Sequence, residues 1–221
     1  MDAYRSLYKA RQTIATILMK RGYSIELDVT NESLLQFKDR YVFSGHPDRD
    51  LLTLIGAKNT TSSIIVLFVD DTCLKLSECE DKVNTIWEAN REHYALSGDH
   101  FQMHWILVCK FPVTQKLKHQ VTDWMVNKKR LKIEVFSEHE LYFDVTEHVD
   151  IPKHQRLHRS QITKVLQRLK LGADHGATQR LPKMKKDDMI ARVYDFDKGD
   201  VIEIKRHSPT MGESVSYRVV V

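Results

Sequence analysis

Tyr4, Leu7, Tyr8, Arg11, Ile14, Ala15 and Leu18 recur at three- and four-residue steps. That spacing predicts a helix over 4–21 with one inward stripe. Arg5, Lys9, Lys20 and Arg21 fall off the stripe, and Gly22 supplies a stop. Thr30 or Asn31 can cap a second helix running through Leu34, Leu35, Phe37, Lys38 and Tyr41, which Gly45-His46-Pro47-Asp48 breaks. Residues 56–63, rich in Gly, Asn, Thr and Ser, read as a loop. Ile64 to Val69 is an unbroken apolar run, the pattern of a strand buried on both faces, ended by Asp70-Asp71.

The alternation continues. Residues 78–96 carry a helical pattern with Val83, Ile86, Trp87 and Tyr94 as candidate core positions, ended by Gly98. His104 to Cys109 is a second buried strand. Phe111-Pro112 turns the chain, Thr114 can cap a helix carrying Leu117, Val121, Trp124 and Met125, and Leu131 to Phe136 alternates as a third strand. Strand, helix, strand, helix, strand predicts a parallel, three-layered α/β domain. Beyond it the elements shorten: a helix over 159–171, a loop over 172–178, a helix over about 187–194, a turn at Lys198-Gly199-Asp200, and strands at Val201–Ile204 and Val215–Val221. The change predicts a boundary near 141–146, hence an N-terminal α/β domain over 1–143 and a small mixed α/β domain over 144–221.

Charge sharpens this division. Residues 1–143 carry 19 Lys and Arg against 19 Asp and Glu, whereas 144–221 carry 15 against 11. Within the first part, Lys110, Lys116, Lys118, Lys128, Lys129, Arg130 and Lys132 face a single local acid, Asp123. Such a segment reads either as a solvated face or as a surface for a polyanion. In the second reading Lys110, Pro112, Thr114, Gln115, Lys116 and Lys118 form a stretch that binds phosphates without reading sequence. Three cysteines (Cys73, Cys79, Cys109) are too sparse for a disulfide framework and suit a reducing compartment. No apolar run approaches the ~20 residues that span a bilayer, and the first residues lack a signal-peptide pattern.

Catalytic motifs are scarce. No glycine-rich phosphate loop occurs, so dinucleotide binding is not expected. The cysteine spacing matches no zinc pattern. His148, His154 and His158 read as surface or hydrogen-bonded histidines before they read as ligands. Asp70 or Asp71 with Glu80-Asp81-Lys82 superficially matches the two carboxylates and lysine of a metal-dependent nuclease. Glu80-Asp81-Lys82 is expected to open a helix rather than lie on a strand beside the aspartate. No catalytic residue, metal site or cofactor is therefore assigned.

The C-terminal motifs taken together carry a resemblance. Phe143-Asp144-Val145-Thr146-Glu147-His148, Pro152-Lys153-His154, Leu181-Pro182-Lys183, Asp188, Ala191, Lys198 to Ile204, Ser208-Pro209-Thr210-Met211-Gly212 and Tyr217 to Val221 stand in the order of one family. They closely resemble the fifth subunit shared by eukaryotic RNA polymerases, whose C-terminal module stands alone in the archaeal counterpart. More weakly, the opening helix ending in Lys20-Arg21-Gly22-Tyr23 and the Phe37-Lys38-Asp39-Arg40-Tyr41 stretch resemble the jaw domain of the same family. Departures at Met189, at Asp195 and Asp197, at Gly212-Glu213-Ser214 and in the extra residues 172–178 mark a divergent member, such as a viral or protist version.

The resemblance implies a non-catalytic core subunit of a DNA-directed RNA polymerase. It implies a jaw of nuclease-like α/β topology over 1–143 beside downstream double-stranded DNA, and an assembly domain over 144–221 on the largest subunit, among other core subunits. Thr146, Glu147, His148, Pro152, Lys153, His154, Lys205, Arg206, Tyr217 and Arg218 are the expected subunit contacts, and no membrane is involved. Pro152 fixes its own φ and biases its neighbour towards extended geometry, setting the approach of Lys153 and His154. The implied location is the nucleus, or a cytoplasmic viral factory and virion for a viral member. A free-standing transcription-associated binding protein reusing the fold is the alternative.

Overall fold

A computed structural model describes the chain except residues 1–2, 60–61, 71–74, 91–101, 129–130, 173, 175 and 209–211. Tyr94, Gly98, Cys73, Asp71, Lys129, Arg130 and Pro209-Thr210-Met211 therefore lie outside the described residues. The chain divides into two compact units, Met1–Phe143 and Asp144–Val221. No described helix is long and apolar enough to cross a membrane.

In the first unit, α1 (Ala3–Lys20) turns Leu7, Ala10, Ile14, Ile17 and Leu18 wholly inward. After β1 (Ser24–Ile25) the chain forms two helices where the pattern predicted one, α2 (Leu27–Asn31) and α3 (Leu34–Tyr41). Asn31 closes the first, and the cap of the second is Ser33. The Ser33 hydroxyl accepts from Gln36 N, and Ser33 N donates to the Gln36 side chain at 2.8 Å. β2 (Val42–Phe43) and β3 (His46–Pro47) close a hairpin across Ser44 and Gly45, both at positive φ, as a tight two-residue turn requires.

A second correction concerns residues 56–63. The described ones, 56–59 and 62–63, are strand rather than loop: β4 (Leu54–Asn59) pairs antiparallel with β5 (Ser62–Val69). Gly56 sits mid-strand because a Cβ there would lie 3.1 Å from the side chains of both Ile25 and Ile64. The sheet order is β1-β4-β5-β6-β7, with β6 at Gln102–Cys109 and β7 at Leu131–Ser137. β5, β6 and β7 are parallel, as predicted, and the antiparallel edge makes the sheet mixed. α4 (Leu76–Asn90) and α5 (Gln115–Asn127) bury Cys79, Val83 and Val121 against Ile65, Leu67, Trp105, Leu107 and Ile133. Alternation turns Ile64, Val66, Ile106 and Val108 to the opposite face, where all are buried.

The second unit is a sheet of order β8-β10-β11-β9. Its strands are β8 (Lys153–Arg156), β9 (Lys183–Met184), β10 (Val201–Ser208) and β11 (Gly212–Val220). β9 runs parallel to β11 and the other pairs are antiparallel. α6 (Arg159–Arg168), capped by His158, packs Val165 and Leu166 over Val201, Tyr217 and Val219. α7 (Met189–Val193), capped by Asp188, packs Ile190 and Ala191 with Ile202, Ile204 and Val220. The expected helix over 159–171 stops early, with Lys170 and Gly172 at positive φ.

Candidate interaction surfaces

The predicted phosphate-binding stretch lies where β6 ends and α5 begins. Thr114 caps α5, its hydroxyl accepting from Leu117 N, so Gln115 and Lys116 stand exposed on the first turn. Phe111 and Pro112 are exposed beside them, and Lys110 Nζ lies 5.6 Å from the Phe111 ring centroid. Part of the expected positive charge is met by acids in the fold. Lys110 Nζ is 2.8 Å from Asp70, Lys128 pairs with Glu80, and Lys132 Nζ is 4.0 Å from Glu134. Asp70 and Glu80 come from other elements and Glu134 from just past the segment, so a count along 110–132 sees none of them. Lys116 stays exposed in the stretch, and Lys118 is half-buried.

Among the described residues the nuclease constellation does not assemble. Glu80 is the fifth residue of α4 rather than its opening. Lys82 pairs with Asp50 at 2.5 Å, and the Lys110 hydrogen bond, with the nearby Arg49 charge, lowers the Asp70 pKa. Asp70 does line a cleft of about 330 Å³ at the carboxyl end of β5, with Arg49, Asp50, Glu78, Cys79 and Lys82. This is the end of an open α/β sheet where ligands commonly bind. Here its charges are largely cancelled: Lys75 with Glu78, Lys82 with Asp50, Arg49 with Asp70 and Glu138. Burial pushes the Cys79 thiol up to about 11 and the Cys109 thiol up to about 12, which leaves both unreactive. Arg49 and Glu138, which no sequence motif singles out, are thus bound into the scaffold. The legible trace of this corner is Ser137-x-x-Glu140, which forms a capping box beside Glu138.

Beneath the sheet lies a buried ion set that the helical stripe misplaced. Arg21, expected off the inward face, is buried and donates to both Glu134 oxygens, at 3.2 and 2.6 Å. His104 Nε2 is 2.8 Å from Glu134 Oε1. A second set joins Arg11 to Glu32 at 2.8 Å and to the Tyr41 hydroxyl at 3.1 Å.

In the C-terminal unit the expected contact residues separate by strand parity. Ile204 pairs with His154 and Ser216, while Ile202 pairs with Arg156 and Arg218. His154, Arg206 and Arg218 therefore share the α7 face. Lys205 pairs with Lys153 and Val215, and Glu203 with Tyr217, which puts Lys153, Lys205 and Tyr217 on the α6 face. Tyr217 is buried against α6, receives a hydrogen bond from Arg168 and donates to Glu203 at 3.3 Å. Lys205 pairs with Glu203 at 3.1 Å. Thr146 and Glu147 lie in a 3-10 turn (Val145–Glu147) that His148 closes and in which Asp144 accepts from Thr146 N and Oγ1. Pro152 O lies 2.7 Å from His154 Nδ1, and burial lowers the His154 pKa. His158 caps α6 and His148 Nδ1 accepts from Asp150 N, so these histidines serve the local backbone.

Comparison with known proteins adds two family matches in chain order. Residues 2–86 match RNA polymerase Rpb5, N-terminal domain, and residues 143–220 match RNA polymerase Rpb5, C-terminal domain. The chain is 26% identical over 226 residues to the DNA-directed RNA polymerases I, II, and III subunit RPABC1 of Caenorhabditis elegans, spanning 100% of this chain and 98% of that one. It is 26% identical over 225 residues to the subunit of the same name in Dictyostelium discoideum, with both chains fully spanned. Similarity to the DNA-directed RNA polymerases IV and V subunit 5B of Arabidopsis thaliana reaches 29% over 216 residues, 96% of this chain and 88% of that one.

Proposed function

This chain belongs to the RNA polymerase Rpb5 family, and from that premise we propose how its two units divide the work of a polymerase subunit. It is a non-catalytic core subunit of a multisubunit DNA-directed RNA polymerase and partners other polymerase subunits. The carrying observation is that both Rpb5 domain matches occur in order, one inside each compact unit, in a chain spanned end to end by relatives of that name. The eukaryotic relatives support a nuclear location, and no observation favours the viral factory. Nor does any favour a free-standing protein.

The C-terminal unit is the assembly domain and docks on the largest subunit. Its exposed Lys153, Lys205, Arg206 and Arg218, with half-buried Pro152 and His154, support this reading. The N-terminal unit is the jaw, a nuclease-like α/β fold without nuclease chemistry. Its turn from Lys110 to Lys118 lies along downstream double-stranded DNA, with Lys116 on the exposed first turn of α5 as the leading phosphate contact.

Affinity purification of the tagged chain, followed by mass spectrometry, tests the reading. Largest-subunit peptides at comparable abundance are expected, and removal of residues 144–221 should abolish them. A tagged full chain that runs as a monomer on gel filtration, free of polymerase subunits, overturns it.

A further inference from the structure

β11 is nine residues long, but β9 covers only Val219 and Val220 on its outer side. Val219 N donates to Pro182 O and Val221 N to Met184 O, both at 2.9 Å, so the odd-numbered residues of β11 point their backbone groups outward. Val220 N donates to Asp200 O, so the even-numbered ones point to β10. By strand alternation the N–H and C=O groups of Glu213, Val215 and Tyr217 face the outer edge, where no described strand pairs with them. Folded proteins rarely leave such an edge long, straight and apolar. This one carries Val215, 45% exposed, and has neither proline nor lysine on its own strand.

The side chains beside the edge define what would cover it. On the α7 face, Ser214 and Ser216 leave a shallow trough between Arg206, opposite Ser214, and Arg218, two residues beyond Ser216. Both arginines are exposed, and the hydrogen bond from Arg218 to Lys183 O is a long contact, 3.4 Å. On the α6 face, Val215 offers an apolar contact beside exposed Lys205. We propose that the edge of β11 from Glu213 to Tyr217 accepts an extended segment of a polymerase subunit as an added strand. That segment carries carboxylates on the side facing Arg206 and Arg218, and an apolar residue against Val215. Main-chain hydrogen bonds supply affinity and the two arginines select the acidic partner. This deepens the assembly-domain reading above and rests on it.

Hydrogen exchange on the full chain, free and within the purified polymerase, tests the proposal. In the free chain the amides of Glu213, Val215 and Tyr217 should exchange rapidly while Ser214, Ser216 and Arg218 are protected by β10. In the polymerase the three odd amides should slow by at least about tenfold. Val215→Pro removes an outward N–H and leaves the β10 ladder intact. It should lower incorporation about tenfold, as should Arg206→Glu with Arg218→Glu. If the chain enters the polymerase while the odd amides stay as fast as in the free chain, the edge is not the docking element and the proposal fails. Wild-type incorporation of a folded Val215→Pro variant also overturns it. Odd amides already protected in a dimeric free chain would assign the edge to a second copy and overturn it too. Failure to enter the polymerase at all would instead overturn the subunit reading itself.

Discussion

Replacing Glu134 by Ala takes two hydrogen bonds and an opposite charge from a buried guanidinium. The side chains of Arg21 and Glu134 are 2% and 15% exposed, so the pair is not in the solvated regime where ion pairs contribute about 0–1 kcal/mol. Removing one partner of a buried pair costs about 3–5 kcal/mol. Arg21 would lose both of its bonds to Glu134, and His104 would lose its contact. With a urea dependence of about 2 kcal/mol/M, the midpoint should fall by roughly 2 M. Trp87, Trp105 and Trp124 are the chain's three tryptophans and all lie in Met1–Phe143, so tryptophan fluorescence follows this unit alone. The double variant Arg21→Met with Glu134→Leu should cost less than Glu134→Ala, because it removes both buried charges together. The pH dependence follows from the same geometry. Burial alone would raise the Glu134 pKa, but the Arg21 charge and His104 reverse this and hold the carboxyl well below the usual range. A lowered folded pKa gives stability that is present above the ordinary value of 4.5 and lost as pH falls through the folded value. The advantage over Glu134→Gln should therefore stay level from neutral pH down to about 4.5 and shrink below it. A Glu134→Ala midpoint within about 0.3 M of wild type would refute the reasoning, since that is what a solvated pair gives.

Three further outcomes are expected. Lys116→Ala with Lys118→Ala should leave polymerase assembly intact and make the salt dependence of downstream-DNA binding shallower by about 2 in log–log slope, measured by titration at several salt concentrations; failure to assemble would contradict the division between units. Burial lowers the His154 pKa below 6.5, with Asp188, Arg206 and Arg218 as its charged neighbours, so protonation opposes folding; thermal melts of the full chain should show stability declining as pH drops below 6.5, less steeply in His154→Asn. Ser33→Ala removes half of the capping box on α3 and should cost about 1 kcal/mol in chemical denaturation.

Elements whose pattern is dictated by burial are legible in the sequence. Ile64 to Val69 and His104 to Cys109 could hardly be anything but central strands, and Thr114 marks the start of α5 by its chemistry. β4 is hidden because Gly56 is there for packing against Ile25 and Ile64, a reason that lies in the partner strands. The pairing of Lys110 and Lys128 is hidden for a related cause: Asp70 and Glu80 arrive through the fold. The expected contact residues of the C-terminal unit fall largely on strands, where Lys153 and His154, and Lys205 and Arg206, stand on opposite faces. Adjacent residues in a strand point to opposite faces, so parity alone separates them. Arg21 escapes because a helical stripe says nothing about the residue just past the last turn.

The way the two sheets are strung has a consequence for how fast each forms. In the first unit Val66 pairs with Ile106 and Ile106 with Glu134, so these parallel pairs close across 40 and 28 positions of chain. In the second, Ser208 pairs with Gly212, and β10 and β11 can zip outward from that point. Loop closure is the slow, entropically opposed part of assembling a sheet. When the full chain refolds from denaturant, the C-terminal hairpin should therefore form while the larger sheet is still closing.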